Sequence, residues 1–176
     1  MRCDPYAHVP PAPPLAVTSP DIAAPDGVLP AHCWNRPGAN RSPALAWGPL
    51  PDGTRSVMVT IFDPDAPVPG GFWHWTVTDL PATTTSLPAG AGAPDDAGLP
   101  AGSRQWPNDL GRPGYIGAGP PPGTGTHRYH VAVTALDVDA LDLDDRATLA
   151  MVNRAAGAHT LARGILVATA DAEGPP

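Results

Sequence analysis

The sequence predicts an all-β sandwich with one helical segment late in the chain. Three observations carry that expectation: short apolar runs with strand-type alternation, turn residues between them, and a single stretch of helical composition. The 176 residues include 26 prolines and 19 glycines, which break the chain too often for long helices. This length fits one domain that buries a core without disulfide staples.

Residues 1–13 read as a proline-rich extended arm, residues 14–170 as the domain, and residues 171–176 as a tail. PLAVTS (14–19) is the first strand candidate. SPALAWGPLP (42–51) is the second, ended by Gly48 and Pro49. RSVMVTIFD (55–63) is the clearest: Val57, Val59 and Ile61 alternate with Met58, Thr60 and Phe62, so both faces are apolar and the strand belongs in the middle of a sheet. WHWTVTDL (73–80), HRYHVAVTALD (127–137) and ILVATA (165–170) complete the set. Between 81 and 126 the chain is rich in Gly, Pro, Ala and Asp, a length of loop that a compact domain keeps to line a site. DLDDRATLAMVNRAAGAHTLARG (142–164) is the helix candidate, with Asp142 or Asp144 as cap, Asp145 in the first turn, and Gly157 as an interruption.

Charge and composition exclude several classes. All ten basic residues are arginine and the net charge is −7, which argues against a nucleic-acid binder and against adhesion to anionic membranes. Cys3 and Cys33 match no zinc spacing and make no disulfide framework. The N-terminus lacks the apolar run of a secretory signal, and no window approaches a membrane span, so a cytoplasmic protein is expected.

Three stretches place polar side chains where strands end. In FDPDAP (62–67), Asp63 follows the last apolar residue of its strand; a turn-forming carboxylate explains it equally well. In WHW (73–75), alternation puts Trp73 and Trp75 on one face and His74 on the other with Thr76; a core histidine bonded to a carbonyl is the alternative. In YIGAGPPPGTGTHRY (115–129), a Gly- and Pro-rich loop runs into a strand that points His127 and Tyr129 to one face and Arg128 to the other. A plain hairpin explains that stretch too. It is no P-loop, having neither GK[ST] nor a following helix. Taken together, Asp63, His74, His127 and Tyr129 could converge on one pocket, where imidazole and phenol groups donate to an anion. An Asp63–histidine hydrogen bond would fix the ring tautomer and favour its charged form. Arg128 could pair with Asp65 and hold two of the motifs together. His74, His127 and Asp63 could in principle form a facial metal triad.

DPDAP, WHW with its strand ending DLP, the long GYIGAGPPPGTGTHRY, SPALAW and HTLARG together resemble the phosphatidylethanolamine-binding protein family, which includes the Raf kinase inhibitor protein. The likeness is greatest to its bacterial branch and runs from about residue 14 to 170. The resemblance implies a Greek-key β-sandwich of two antiparallel sheets and a small pocket for phosphate-like anions. Carried over motif by motif, it implies that Asp63, His74, His127 and Tyr129 hold the ligand, Gly119 and Pro121 form part of the rim, and Asp65 and Arg128 support them. It implies an anion in that place, with no metal and no cofactor. One segment departs from the bacterial pattern: NRAAGA (153–158) replaces larger residues, and a helix bordering the pocket would then leave it wider.

The function expected is a binding protein for a small anionic or phosphate-bearing ligand, with a homodimer as the expected assembly. An alternative is an acid–base enzyme of a natural-product pathway, with His74 or His127 moving the proton, Asp63 orienting it and Tyr129 steadying an oxyanion. No GxSxG elbow supports covalent hydrolysis. A kinase- or protease-inhibitor-like regulator is a third reading, resting on fold analogy alone.

Overall fold

The run 55–63 has apolar residues on both faces because the strand it forms lies in the middle of a sheet covered on both sides. The computed structural model describes residues 4–35 and 38–175. Within them the strands are β1 (Val17–Thr18), β2 (Gly27–Val28), β3 (Leu45–Trp47), β4 (Ser56–Asp63), β5 (Phe72–Pro81), β6 (Ser86–Leu87), β7 (Arg104–Gln105), β8 (Thr126–Leu136) and β9 (Thr160–Asp171). Helix α1 (Leu149–Ala158) precedes β9. Cys3 lies outside the described residues; Cys33 is a buried free thiol.

The larger sheet has the order β2-β9-β8-β4-β5-β7, the smaller one β1-β3-β6. Within the larger sheet, β4, β5, β7 and β8 are antiparallel neighbours in the order β8-β4-β5-β7, the Greek-key arrangement. Pairing departs from antiparallel at β2, which joins β9 in parallel over two residues.

Odd-numbered residues of β4 and β8 face the smaller sheet. Val57, Val59, Ile61, Val131 and Val133 pack there with Leu45, Trp47 and Leu87. The opposite face of the larger sheet is covered by α1 and the chain leading to it: Met58 and Trp106 pack with Leu141, Leu149, Val152 and Ala156. Every residue of β4 is therefore buried.

The helix is shorter than its composition predicts. Thr148, not an aspartate, caps it, its Oγ1 accepting from the Met151 amide at 3.3 Å. Asp144 closes a turn by accepting from the Arg146 amide, and Asp145 reaches Arg104 instead. Gly157 stays inside the helix because Leu149, Val152 and Ala156, at i, i+3 and i+7, already dock it on the sheet. HTLARG is not helical: β9 starts at Thr160 and pairs with β8 along its length. Alternating small residues (Ala162, Gly164, Ala168, Ala170) form its buried face, a pattern that reads like helix by composition. Gly164 is required there, since a Cβ would fall 2.1 Å from the Leu15 carbonyl oxygen. That close crossing lets residues 13–15 hydrogen-bond Arg163 and carries the arm onto the far face of the sheet.

Candidate functional site

The ends of β4, β5 and β8 meet the loop before β8 around a cavity of about 280 Å³, whose walls include Asp63, His74, His127 and Tyr129. Asp63 is the last residue of β4 and 3% exposed. Its Oδ1 accepts from the Asp65 amide at 2.7 Å, so it does form the turn that a strand-end aspartate suggests. Its Oδ2 meanwhile accepts from His127 Nδ1 at 2.7 Å. Both oxygens are thus committed, and the carboxylate fixes the imidazole tautomer.

His127 Nε2 lies 2.8 Å from Thr124 Oγ1, and that hydroxyl also lies 2.7 Å from the Pro121 carbonyl. One hydroxyl proton serves two neighbours. The Thr124 hydroxyl thus bridges the Pro121 carbonyl and the imidazole edge that faces the loop.

His74 reaches the cavity by a route that alternation does not give. Ile61 pairs with Trp75 and Phe62 with Trp73, which leaves His74 as the extra residue of a β-bulge. Trp73 and Trp75 consequently lie on opposite faces, contrary to the period-two expectation. Trp75 is in the inter-sheet core and Trp73 packs beneath the helix, its ring 4.4 Å from that of Phe62. The bulge turns His74 toward Tyr129, whose ring meets it edge-on at 5.0 Å. Nδ1 of His74 donates to the Ile116 carbonyl at 2.8 Å, which leaves Nε2 as the uncommitted nitrogen. Burial holds its pKa below the ordinary imidazole value, offset in part by the Ile116 carbonyl and the Asp63 charge.

Tyr129 is 1% exposed. Burial raises its phenol above the usual value, reinforced by the Asp63 charge, so it stays a protonated donor. Gly119 and Pro121 line the cavity as well. Behind it, Arg128 forks onto Asp65 through Nε (2.8 Å) and Nη2 (2.9 Å), while the Arg128 amide donates to the same carboxylate. This pair ties the turn after β4 to the start of β8.

Other lining residues were not legible in the sequence. Phe72, Ile116 and Gly117 are among them, with Val68 and Leu110 exposed nearby. Gly117 is the glycine that close approach demands, since a Cβ would sit 2.4 Å from the Asn35 amide nitrogen; at Gly119 it would meet nothing. Asn40 clamps this loop, accepting from the Gly117 amide at 2.7 Å and donating to the Tyr115 carbonyl. Nothing in the local pattern around Asn40 marks that role.

The segment 153–158 does not border this cavity. Asn153, Arg154, Ala156, Gly157 and Ala158 line a different one, on the opposite face of the larger sheet. The small side chains of 153–158 therefore do not widen the anion pocket. The metal-triad geometry is also unsuited, because His127 Nδ1 and Asp63 Oδ2 are spent on each other. Among the described residues no cluster of three His, Cys, Asp or Glu side chains is placed to hold a metal ion.

Fold and site together define a two-sheet β protein with a small histidine- and tyrosine-lined cavity at one end of its larger sheet. The family model described as phosphatidylethanolamine-binding protein matches residues 19–171, and the chain belongs to that family. It is 47% identical over 131 residues to the protein YbhB of Escherichia coli K12, covering 74% of this chain and 82% of YbhB. It is 40% identical over 149 residues to YbcL of the same organism, covering 83% of this chain and 81% of YbcL. The crystal structure of YbcL superposes with a TM-score of 0.83 at 38% identity, covering 88% of this chain and 96% of that one. Among the described residues, no helix is long and apolar enough to cross a membrane.

Proposed function

We propose that this protein binds a small anion or the phosphate of a phospho-ligand in the cavity of Asp63, His74, His127 and Tyr129. The observation that carries the reading is the pairing of one uncommitted imidazole nitrogen, His74 Nε2, with a phenol that burial keeps protonated. An incoming anion favours a proton on His74 Nε2 and so turns it into a second donor beside Tyr129. The oxygens of Asp63 are engaged by His127 and the Asp65 amide, and its charge favours a proton on His74, the group that would face the anion. Thr124 is the movable partner: an anion that replaces it accepts a hydrogen bond from His127 Nε2. A volume of about 280 Å³ suits a phosphate-bearing head group, at the small end of ligand cavities.

Trp75 borders His74 in sequence, so titration with inorganic phosphate and with phosphoethanolamine is followed by tryptophan fluorescence. Saturable millimolar or tighter binding is expected, weakened at least tenfold by His74→Ala and by His127→Ala. A wild-type protein that does not respond, or variants that respond as wild type does, would overturn the reading.

A further inference from the structure

The cavity behind the sheet is the larger of the two, about 710 Å³, within the range of drug-sized ligand sites. Its floor is the outer face of β4 and β5, with Met58, Thr60, Phe62 and Trp73. Its walls are the arm (Pro5 to Pro10) and the helix face at Arg154, Ala156 and Gly157. The arm is pinned over it, the Arg163 guanidinium donating to the Pro10 carbonyl and lying over the Tyr6 ring.

Two features point to a ligand. Thr60 is 1% exposed and lines the cavity with the buried Tyr6 hydroxyl; the two hydroxyls face each other, yet neither makes a well-formed hydrogen bond to that partner or to any other group. Buried hydroxyls are rarely left unpartnered, because burial strips them of water without return. The second feature is charge. In a chain of net charge −7, the described residues of this lining include Arg154 and Arg163 and no carboxylate. Arg154 makes no hydrogen bond or ion pair within the described residues and is exposed.

We infer that this outer cavity is a second ligand site, for an amphipathic organic anion. The apolar body lies on Met58, Phe62 and Trp73, the acidic head meets Arg154 and Arg163, and a polar group within the body satisfies Thr60 and Tyr6. The site is separate from the anion pocket, because Thr60 and Phe62 point to one face of β4 while Asp63 faces the other. The small side chains of 153–158 then have a reason: Ala156 and Gly157 leave the volume that larger residues fill. A Cβ at Gly157 would meet nothing within 4 Å.

The probe is 8-anilinonaphthalene-1-sulfonate, an aromatic anion whose emission reports transfer from nearby tryptophan. Wild type is expected to bind it saturably at one site, with displacement by decanoate at least tenfold more effective than by 1-decanol. Saturating inorganic phosphate is expected to leave it bound. Gly157→Phe fills the cavity and is expected to abolish binding. Arg154→Glu, on the exposed helix surface, is expected to weaken it at least tenfold with the thermal unfolding of the fold retained. No saturable binding, binding unchanged in Arg154→Glu, displacement by phosphate, or equal displacement by decanol each overturns the inference. Because phosphate serves here as a non-competitor, failure of phosphate to bind the first pocket leaves this test intact.

Discussion

His74 shows how much one side chain is set by its surroundings. Its ring is buried, its Nδ1 is fixed on the Ile116 carbonyl, and its pKa lies below the ordinary 6.5 chiefly through desolvation. The sign of the linkage follows. Above 6.5 the ring is neutral in folded and unfolded chains alike. As pH falls through 6.5 the unfolded chain takes up a proton that the buried ring resists, so the unfolded state binds more protons and stability declines. His74→Asn keeps a donor for Ile116 and removes the titration, so its urea-denaturation stability is expected to fall less steeply below pH 6.5 than that of wild type. His130, also lowered by burial and by Arg128, retains part of the slope. Identical pH profiles for the two proteins would refute this account of His74.

At the scale of elements, the decisive features are places where strand regularity breaks. The bulge at His74 sends Trp73 and Trp75 to opposite faces and delivers the histidine to the cavity. Gly164 lets the arm cross β9, and the Arg128–Asp65 fork anchors the turn after β4 to β8. Gly164→Ala forces a Cβ against the Leu15 carbonyl and is expected to cost about 2 kcal/mol, the range of overpacking. Arg128→Lys loses the planar fork but keeps the charge, so a loss of about 1 kcal/mol is expected, read from urea midpoints. No change in either variant would contradict the roles given to these contacts. Legibility varied for a physical reason. Alternation of large apolar residues makes β4 a strong local signal; the first half of β9 carries none, because its buried positions there are Ala162 and Gly164. The aspartates at 142–145 looked like caps, but a cap is decided by where the helix docks, and Thr148 stands at that point.

For the whole molecule, the six-stranded sheet separates two cavities, the outer one against the Met58–Thr60–Phe62 face of β4 and the inner one at the end of the same strand, at Asp63. A ligand that binds only the folded state stabilises it by mass action, about 2.7 kcal/mol at a hundredfold excess over Kd. Sulfate, which keeps its charge across the neutral range, is therefore expected to raise the melting temperature of wild type and not of His127→Ala. An equal rise in both would place the anion elsewhere. The sequence by itself determined the family, the central strand and the identity of the polar residues at strand ends, because motif and alternation are local properties of the chain. Only the tertiary structure decided which face each side chain takes, that residues 153–158 serve the outer cavity, and that Asn40 clamps the loop over the inner one. Those outcomes depend on a single inserted residue in a strand pair and on contacts between segments 42 to 77 residues apart, which no local pattern encodes.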